Sequence, residues 1–142
     1  MVYKKYKKFL LIVSFSFILN LIWEFSHFVL YIDLSGIPKN LHLIQASFMD
    51  MLIISAIFLI ISLKNKNLNW TKKPKRIDYL IIVVLGIIVA GGIELWALSV
   101  GRWMYKDLMP TVFGIGLSPL IQLFSTGILS LIIFRIILYK NR

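Results

Sequence analysis

The chain has no cysteine in its 142 residues. Disulfides, thiolate metal ligands and a cysteine nucleophile are therefore excluded, and thiols say nothing about the redox compartment. Acidic residues are also scarce, six Asp and Glu against 16 Lys and Arg, and histidine occurs only at His27 and His42. Any chemistry falls to a few carboxylates, imidazoles, hydroxyls and amides. There is no glycine-rich phosphate loop, dinucleotide fingerprint or nucleophile elbow, and Gly114-Ile115-Gly116 alone does not make one. No cofactor is expected.

What the chain does have is apolar length. At 59% hydrophobic residues it carries more apolar surface than a soluble domain of this size can bury in one core. Four apolar stretches run over residues 9–32, 43–63, 77–100 and 112–138, each at or above the ~20 residues that span hydrocarbon as a helix. The expected fold is all-α: a polytopic four-transmembrane-helix bundle forming a single integral membrane domain over residues 1–142. The first stretch is too long for a signal peptide, contains Asn20 and Glu24, and lacks a small-x-small cleavage site, so it reads as a retained span.

Charge placement sets the expected orientation. Lys4, Lys5, Lys7 and Lys8 precede the first span, Lys64, Lys66, Lys72, Lys73, Lys75 and Arg76 separate the second from the third, and Arg135, Lys140 and Arg142 end the chain. Thirteen of the 16 basic residues thus fall on one side, which the positive-inside rule makes cytoplasmic, termini included. A cell (plasma) membrane is the expected location. The net charge of +10 then suits anionic lipid headgroups at the cytoplasmic face, and no nucleic acid is expected as a partner. LKNKNLNWTKKPKR reads as the cytoplasmic hairpin loop, with Trp70 at the interface. DLSGIPKN, with Gly36 and Pro38, reads as a short outer turn, and His42 as an exposed loop residue. GRWMYKDLMPTVFGIGLSP is long and aromatic enough to fold back as a lid.

Three carboxylates lie inside spans: Glu24, Asp50 and Glu94. A charge there is costly, which makes each a functional candidate by default. Counted from outer boundaries at Ile32, Leu43 and Val100, they sit eight, seven and six residues deep, or ~9–12 Å at 1.5 Å per residue. A shared depth implies a common cavity. Residues three or four apart share a helix face, so Asn20, Glu24, His27 and Tyr31 form one polar stripe. Ser47 joins Asp50, Ala90 precedes Glu94 by one turn, and Gln122, Thr126 and Ser130 mark the fourth span. Gly86, Gly91 and Gly92 permit close helix approach.

Several readings stay open for these groups. Asn20, Ser47, Gln122, Thr126 and Ser130 serve equally as interhelical hydrogen-bonding groups, and the acids could pair with His27 or Arg102. Glu24-Phe25-Ser26-His27 is a Glu-x-x-His unit, but di-iron bundles need two copies and further glutamates. A mononuclear site from Glu24, His27, Asp50 and Glu94 is a rival; no metal is expected. A neutral carboxylic acid in an apolar pocket can protonate a carbon–carbon double bond, and a neighbouring carboxylate can take a proton back. Transport is a second class, weakened by inner-half segments such as LLIVSF and IIVVLG that offer few polar groups. A noncatalytic accessory or assembly role, with a membrane protein partner or a second copy of the chain, is a third.

From Glu94 onward, ELWALSVGRWMYKDLMPTVFGIGLSPLIQLF resembles the small transmembrane lycopene cyclase domains of carotenoid biosynthesis. The resemblance covers residues 94–124, with Glu94 in the acidic position, Trp103-Met104-Tyr105 as the aromatic element, and Pro119-Leu120-Ile121-Gln122 opening the last span. It implies an isoprenoid ligand and an acid-driven cyclase, hydratase or isomerase reaction. The family's paired glutamates fall on Ile121 and Gln122 here, and an amide cannot deliver a proton as a carboxylic acid does. Glu24, Asp50 and Glu94 are then the expected acid/base or cation-stabilising groups, with His27 as proton partner. Asn20, Tyr31, Trp103, Tyr105 and Gln122 are expected to contact the isoprenoid or other lipid.

Overall fold

A computed structural model of the chain describes residues 2–32 and 38–139, and the side chains of residues 7–32 and 38–138. The turn expected at Gly36, the basic residues Lys140 and Arg142, and the side chains of Lys4 and Lys5 lie outside it. Four long helices account for most of the fold: α1 (Val2–His27), α2 (Lys39–Lys64), α3 (Arg76–Ser99) and α4 (Leu117–Tyr139). All four are long and apolar enough to cross a membrane. Their Ile and Val content disfavours helix in water, but a segment in hydrocarbon must satisfy its backbone internally, which selects the helix. Only 17–39% of each spanning window is buried inside the molecule, so most of the apolar side chains face outward. Such a surface suits lipid.

α1 packs against α2 and α4, and α3 against α4, while α2 and α3 touch each other much less. Gly86 sets the tightest crossing: a Cβ there would lie 2.9 Å from Phe124 Cβ and 3.0 Å from its backbone nitrogen. A side chain at 86 would push the two backbones apart. The apolar core below this crossing includes Ile54, Phe58, Ile61, Ile82, Leu131 and Phe134, each 2% exposed or less.

At the end of the bundle that carries the termini, Asp78 ties α2 to α3. It receives Lys64 Nζ at 2.8 Å and Asn65 Nδ2 at 2.9 Å on one oxygen, and the Lys75 backbone N–H at 2.8 Å on the other. The last bond caps the first turn of α3. Trp70, in the connection between α2 and α3, is packed inside the protein. It is 5% exposed, donates its indole N–H to Ser62 Oγ at 2.8 Å and stands edge-on to Phe58. A partner for the indole nitrogen is what makes this burial affordable.

The opposite end corrects two boundaries. α1 passes through a 3₁₀ turn, Phe28–Leu30, before its chain leaves the bundle. α4 begins at Leu117 rather than 112, because residues 111–116 form a small antiparallel hairpin of β1 (Thr111–Val112) and β2 (Ile115–Gly116). Its turn uses left-handed backbone at Phe113 and Gly114, a conformation that suits glycine. The loop before it folds back onto α1: Ile32 N–H donates to Met104 O and Lys106 N–H to Leu30 O, both at 2.9 Å. Met109, 5% exposed, packs against Gly116 of β2, where an added Cβ would lie 3.1 Å from its sulfur.

Candidate functional site

Gln122, on the second turn of α4, gathers the first two carboxylates. Its side-chain amide nitrogen lies 2.7 Å from Glu24 Oε1 on α1 and 2.6 Å from Asp50 Oδ2 on α2, with Asn20 Oδ1 at 3.3 Å as a third acceptor. One NH₂ group has two hydrogens, so its three acceptors share them, with the two carboxyl oxygens at the shorter distances. Glu24 and Asp50 lie within hydrogen-bonding reach of each other. Among the described residues neither has an ion-pair partner. Two carboxyls thus share one neutral amide donor and no cation, so acceptors outnumber the donors that reach them.

The meeting puts Glu24 and Asp50 at one level of the bundle, although their counts from the observed helix ends differ. α2 starts at Lys39, so Asp50 lies eleven residues in, or ~16 Å along the axis, whereas Glu24 is six residues from the end of the 3₁₀ turn, or ~9 Å. The earlier start of α2 carries its first turns beyond those of α1. Helix ends, and not the polar positions, were misread.

Glu94, 5% exposed on α3, has a different environment. Trp103 Nε1 donates to its Oε2 at 3.1 Å, and the Tyr105 hydroxyl donates to the same oxygen. Tyr31 hydroxyl approaches Oε1 at 3.5 Å, the far limit of a hydrogen bond. Burial first, and then the Glu94 carboxylate, push the Tyr105 phenol well above its ordinary value, so it remains a protonated donor at physiological pH. Two donors converging on one oxygen hold Glu94 as an oriented acceptor. Tyr31 also stands edge-on to His27, Trp103 and Tyr105, with centroids 5.4–6.3 Å apart. The lid is thereby fastened to the end of α1 and to α3 by one aromatic cluster.

These groups border a cavity of about 460 Å³, within the ~300–1,000 Å³ range of small-molecule sites. Glu24, Asp50, Glu94, His27, Tyr31, Trp103 and Gln122 all line it. Of the nine expected site residues, two stand behind the wall. Tyr105 acts through Glu94. Asn20, fully buried, accepts from Gln122 and from Thr126 Oγ1 at 3.1 Å while donating to Ser16 O. The walls are apolar, with Ile53 and Met49 from α2 facing Ala90 and Ile93 from α3 across the loosely packed side. Met49 and Trp96 are half exposed there, so the cavity reaches the lateral surface of the bundle.

His27 bonds elsewhere than to Glu24. Its Nδ1–H donates to the Trp23 carbonyl one turn back at 2.9 Å, which leaves Nε2 as the nitrogen available to the cavity. Among the described residues no three His, Asp or Glu side chains gather closely enough to hold a metal ion, so the rival four-residue metal site is not formed. His42, expected in a loop, belongs to the first turn of α2 and lines the cavity with Lys39 and Arg102. Pro38 stands directly before that turn as its N-cap residue, and its carbonyl accepts the His42 N–H at 3.1 Å. Ser16, Asn20, Thr126 and Ser130 are each fully buried, so the inner half holds more polar groups than its apolar runs imply. No family model, curated protein or solved structure matches this chain.

Proposed function

We propose that the chain is an integral membrane protein, with both termini cytoplasmic, that admits the end of an isoprenoid-type lipid into this cavity and transfers a proton to and from it. The observation that carries the reading is the Gln122 bridge. The position where the resembling cyclase domains place an acid holds an amide here, and that amide is bonded to Glu24 and Asp50 from two other helices. The acid function is thus brought to position 122 from α1 and α2.

The chemistry balances without a cofactor. The carboxylic acid of the Glu24–Asp50 pair gives its proton to one carbon of a double bond, and the neighbouring carbon becomes a cation. Trp103 and Tyr31 offer aromatic faces to that cation, and the Glu94 carboxylate, held by its lid donors, stabilises it electrostatically. Loss of a proton from an adjacent carbon, to the carboxylate just formed, restores an alkene and the starting state of the protein. The product is an isomer or a ring, with no net oxidation. Capture of the cation by water would instead give an alcohol.

Cavity size bounds the ligand. At roughly 30 Å³ per water-sized group, 460 Å³ holds about 15 such groups, which is one end of a carotenoid and not the whole molecule. The opening between α2 and α3 lets the remainder lie in the bilayer. The test is deuterium transfer: membranes containing the chain are incubated in heavy water with acyclic terpenoid olefins, and the recovered lipid is weighed by mass spectrometry. Carbon-bound deuterium above that of membranes lacking the chain is expected. Equal incorporation by wild type, Glu24→Gln and Asp50→Asn would sink the proposal.

A second reading has its own observation. The buried polar file of Ser16, Asn20, Thr126 and Ser130 continues from the carboxylates toward the terminal end, as a proton-coupled transporter would need. Proton flux in proteoliposomes, abolished by Asp50→Asn, would favour it over lipid chemistry.

A further inference from the structure

Basic residues are rare at the lid end of the bundle, and they are not spread evenly over it. Of 16 Lys and Arg, only Lys39, at the start of α2, and Arg102 and Lys106, in the lid, lie at this end, yet Lys39 and Arg102 both border the cavity, and His42 joins them. Among the described residues neither Lys39 nor Arg102 has an acidic partner. Each rests on an aromatic ring instead, Lys39 Nζ 3.5 Å from the Phe28 centroid and Arg102 Cζ 5.9 Å from that of Trp96.

We infer that this rim binds the anionic head, phosphate or carboxylate, of a single-chain amphiphile whose apolar chain occupies the cavity. The inference rests on the cavity reading above and names its ligand class more narrowly. An oxyanion satisfies the ammonium of Lys39 and the fork of Arg102 with charge-assisted hydrogen bonds that a ring face cannot offer. The acidic floor does not oppose this. Asp50 lies eleven residues along α2 from Lys39, ~16 Å of axial rise, and the floor carboxyls are engaged by Gln122, Trp103 and Tyr105. Between rim and floor the wall is apolar, with Ile53, Met49, Ala90 and Ile93. Cations at the mouth, hydrocarbon in the middle and an acid at the bottom match a molecule with a charged head and an olefinic chain.

Native mass spectrometry of the full chain in non-ionic detergent tests this with farnesyl phosphate, farnesol and inorganic phosphate. Wild type is expected to bind farnesyl phosphate about tenfold more tightly than farnesol, and inorganic phosphate is expected not to displace it. In the Lys39→Gln/Arg102→Gln double variant the two lipids should bind alike, with farnesol affinity unchanged. Both residues are exposed, so the fold is expected to survive, and Lys39→Arg/Arg102→Lys should keep the preference. Equal binding of the two lipids by wild type, or a preference that persists in the double glutamine variant, overturns the inference while leaving the cavity reading intact. Displacement by inorganic phosphate also overturns it, assigning the rim to a free anion. If neither lipid binds wild type, the cavity reading fails and the inference with it.

Discussion

Carboxylates sit within the helices at both ends of this bundle, fully buried at Asp78 and half-buried at Glu24 and Asp50, and their surroundings differ in kind. Asp78, 1% exposed, meets three donors, and one of them is the Lys64 ammonium. Its charge is countered and its oxygens are occupied. Glu24 and Asp50 share one neutral amide and border a cavity. Here acceptors outnumber donors, which is unfavourable unless a proton or a ligand is added. A carboxylate whose donors are all in place holds a fold together, whereas the pair with too few is the one to which the proposed reaction assigns the proton.

The largest expected effects break the pair. Glu24→Gln or Asp50→Asn should lower deuterium transfer by about 10²–10⁴-fold, the usual contribution of a positioned acid. Thermal unfolding should stay the same or shift upward, since one of two crowded acids has gone. A fall in melting temperature equal to that of an Asp78 variant would erase the distinction. Asp78→Ala should do the reverse, losing about 2–3 kcal/mol of stability because a cap and a partly buried ion pair are removed together. Lys64 is 37% exposed and can turn to water, which keeps the cost from being larger. Transfer per folded molecule should be unchanged.

The two ends also differ in how well the sequence announced them. Four apolar runs identify four helices because the backbone has no other way to satisfy itself in hydrocarbon, and Glu24, Asp50, Glu94 and Gln122 stood out as polar residues where polarity is costly. What failed were features decided by tertiary contact. Val112, Phe113 and Ile115 look like the start of a span, yet Phe113 is almost fully exposed on a hairpin tip. Nor does the sequence show that Ser62 is the hydrogen-bond partner of Trp70. The rim cations were unreadable as a group because Lys39 and Arg102 are distant in sequence and meet only through the cavity. Gly86 was legible as a packing residue, but that Phe124 lies against it was not.

That crossing supplies an intermediate prediction. In Gly86→Ala the new Cβ meets Phe124 backbone at 3.0–3.2 Å, so α3 and α4 must separate. Overpacking costs about 1–3 kcal/mol, offset by about 1 kcal/mol of better helix propensity. A net loss near 1 kcal/mol in thermal unfolding is expected. Because Glu94 and Gln122 ride on the two helices being separated, transfer should fall as well, which Asp78→Ala does not predict.

The smallest expected effect sharpens the comparison most. Ser16 Oγ is fully buried one turn from Asn20 and has no hydrogen-bond partner among the described residues, although Asn20 Nδ2 donates to the Ser16 carbonyl. A buried hydroxyl without a partner is unfavourable, so Ser16→Ala should be neutral or stabilising by up to about 1 kcal/mol if the hydroxyl is only packing. If it instead holds a water that links the polar file to the carboxyl pair, the same variant slows proton transfer while leaving unfolding and lipid binding unchanged. Measuring deuterium transfer and thermal unfolding on one preparation decides whether the proton of Glu24 and Asp50 is recycled through the lipid alone or replenished from the terminal end of the bundle.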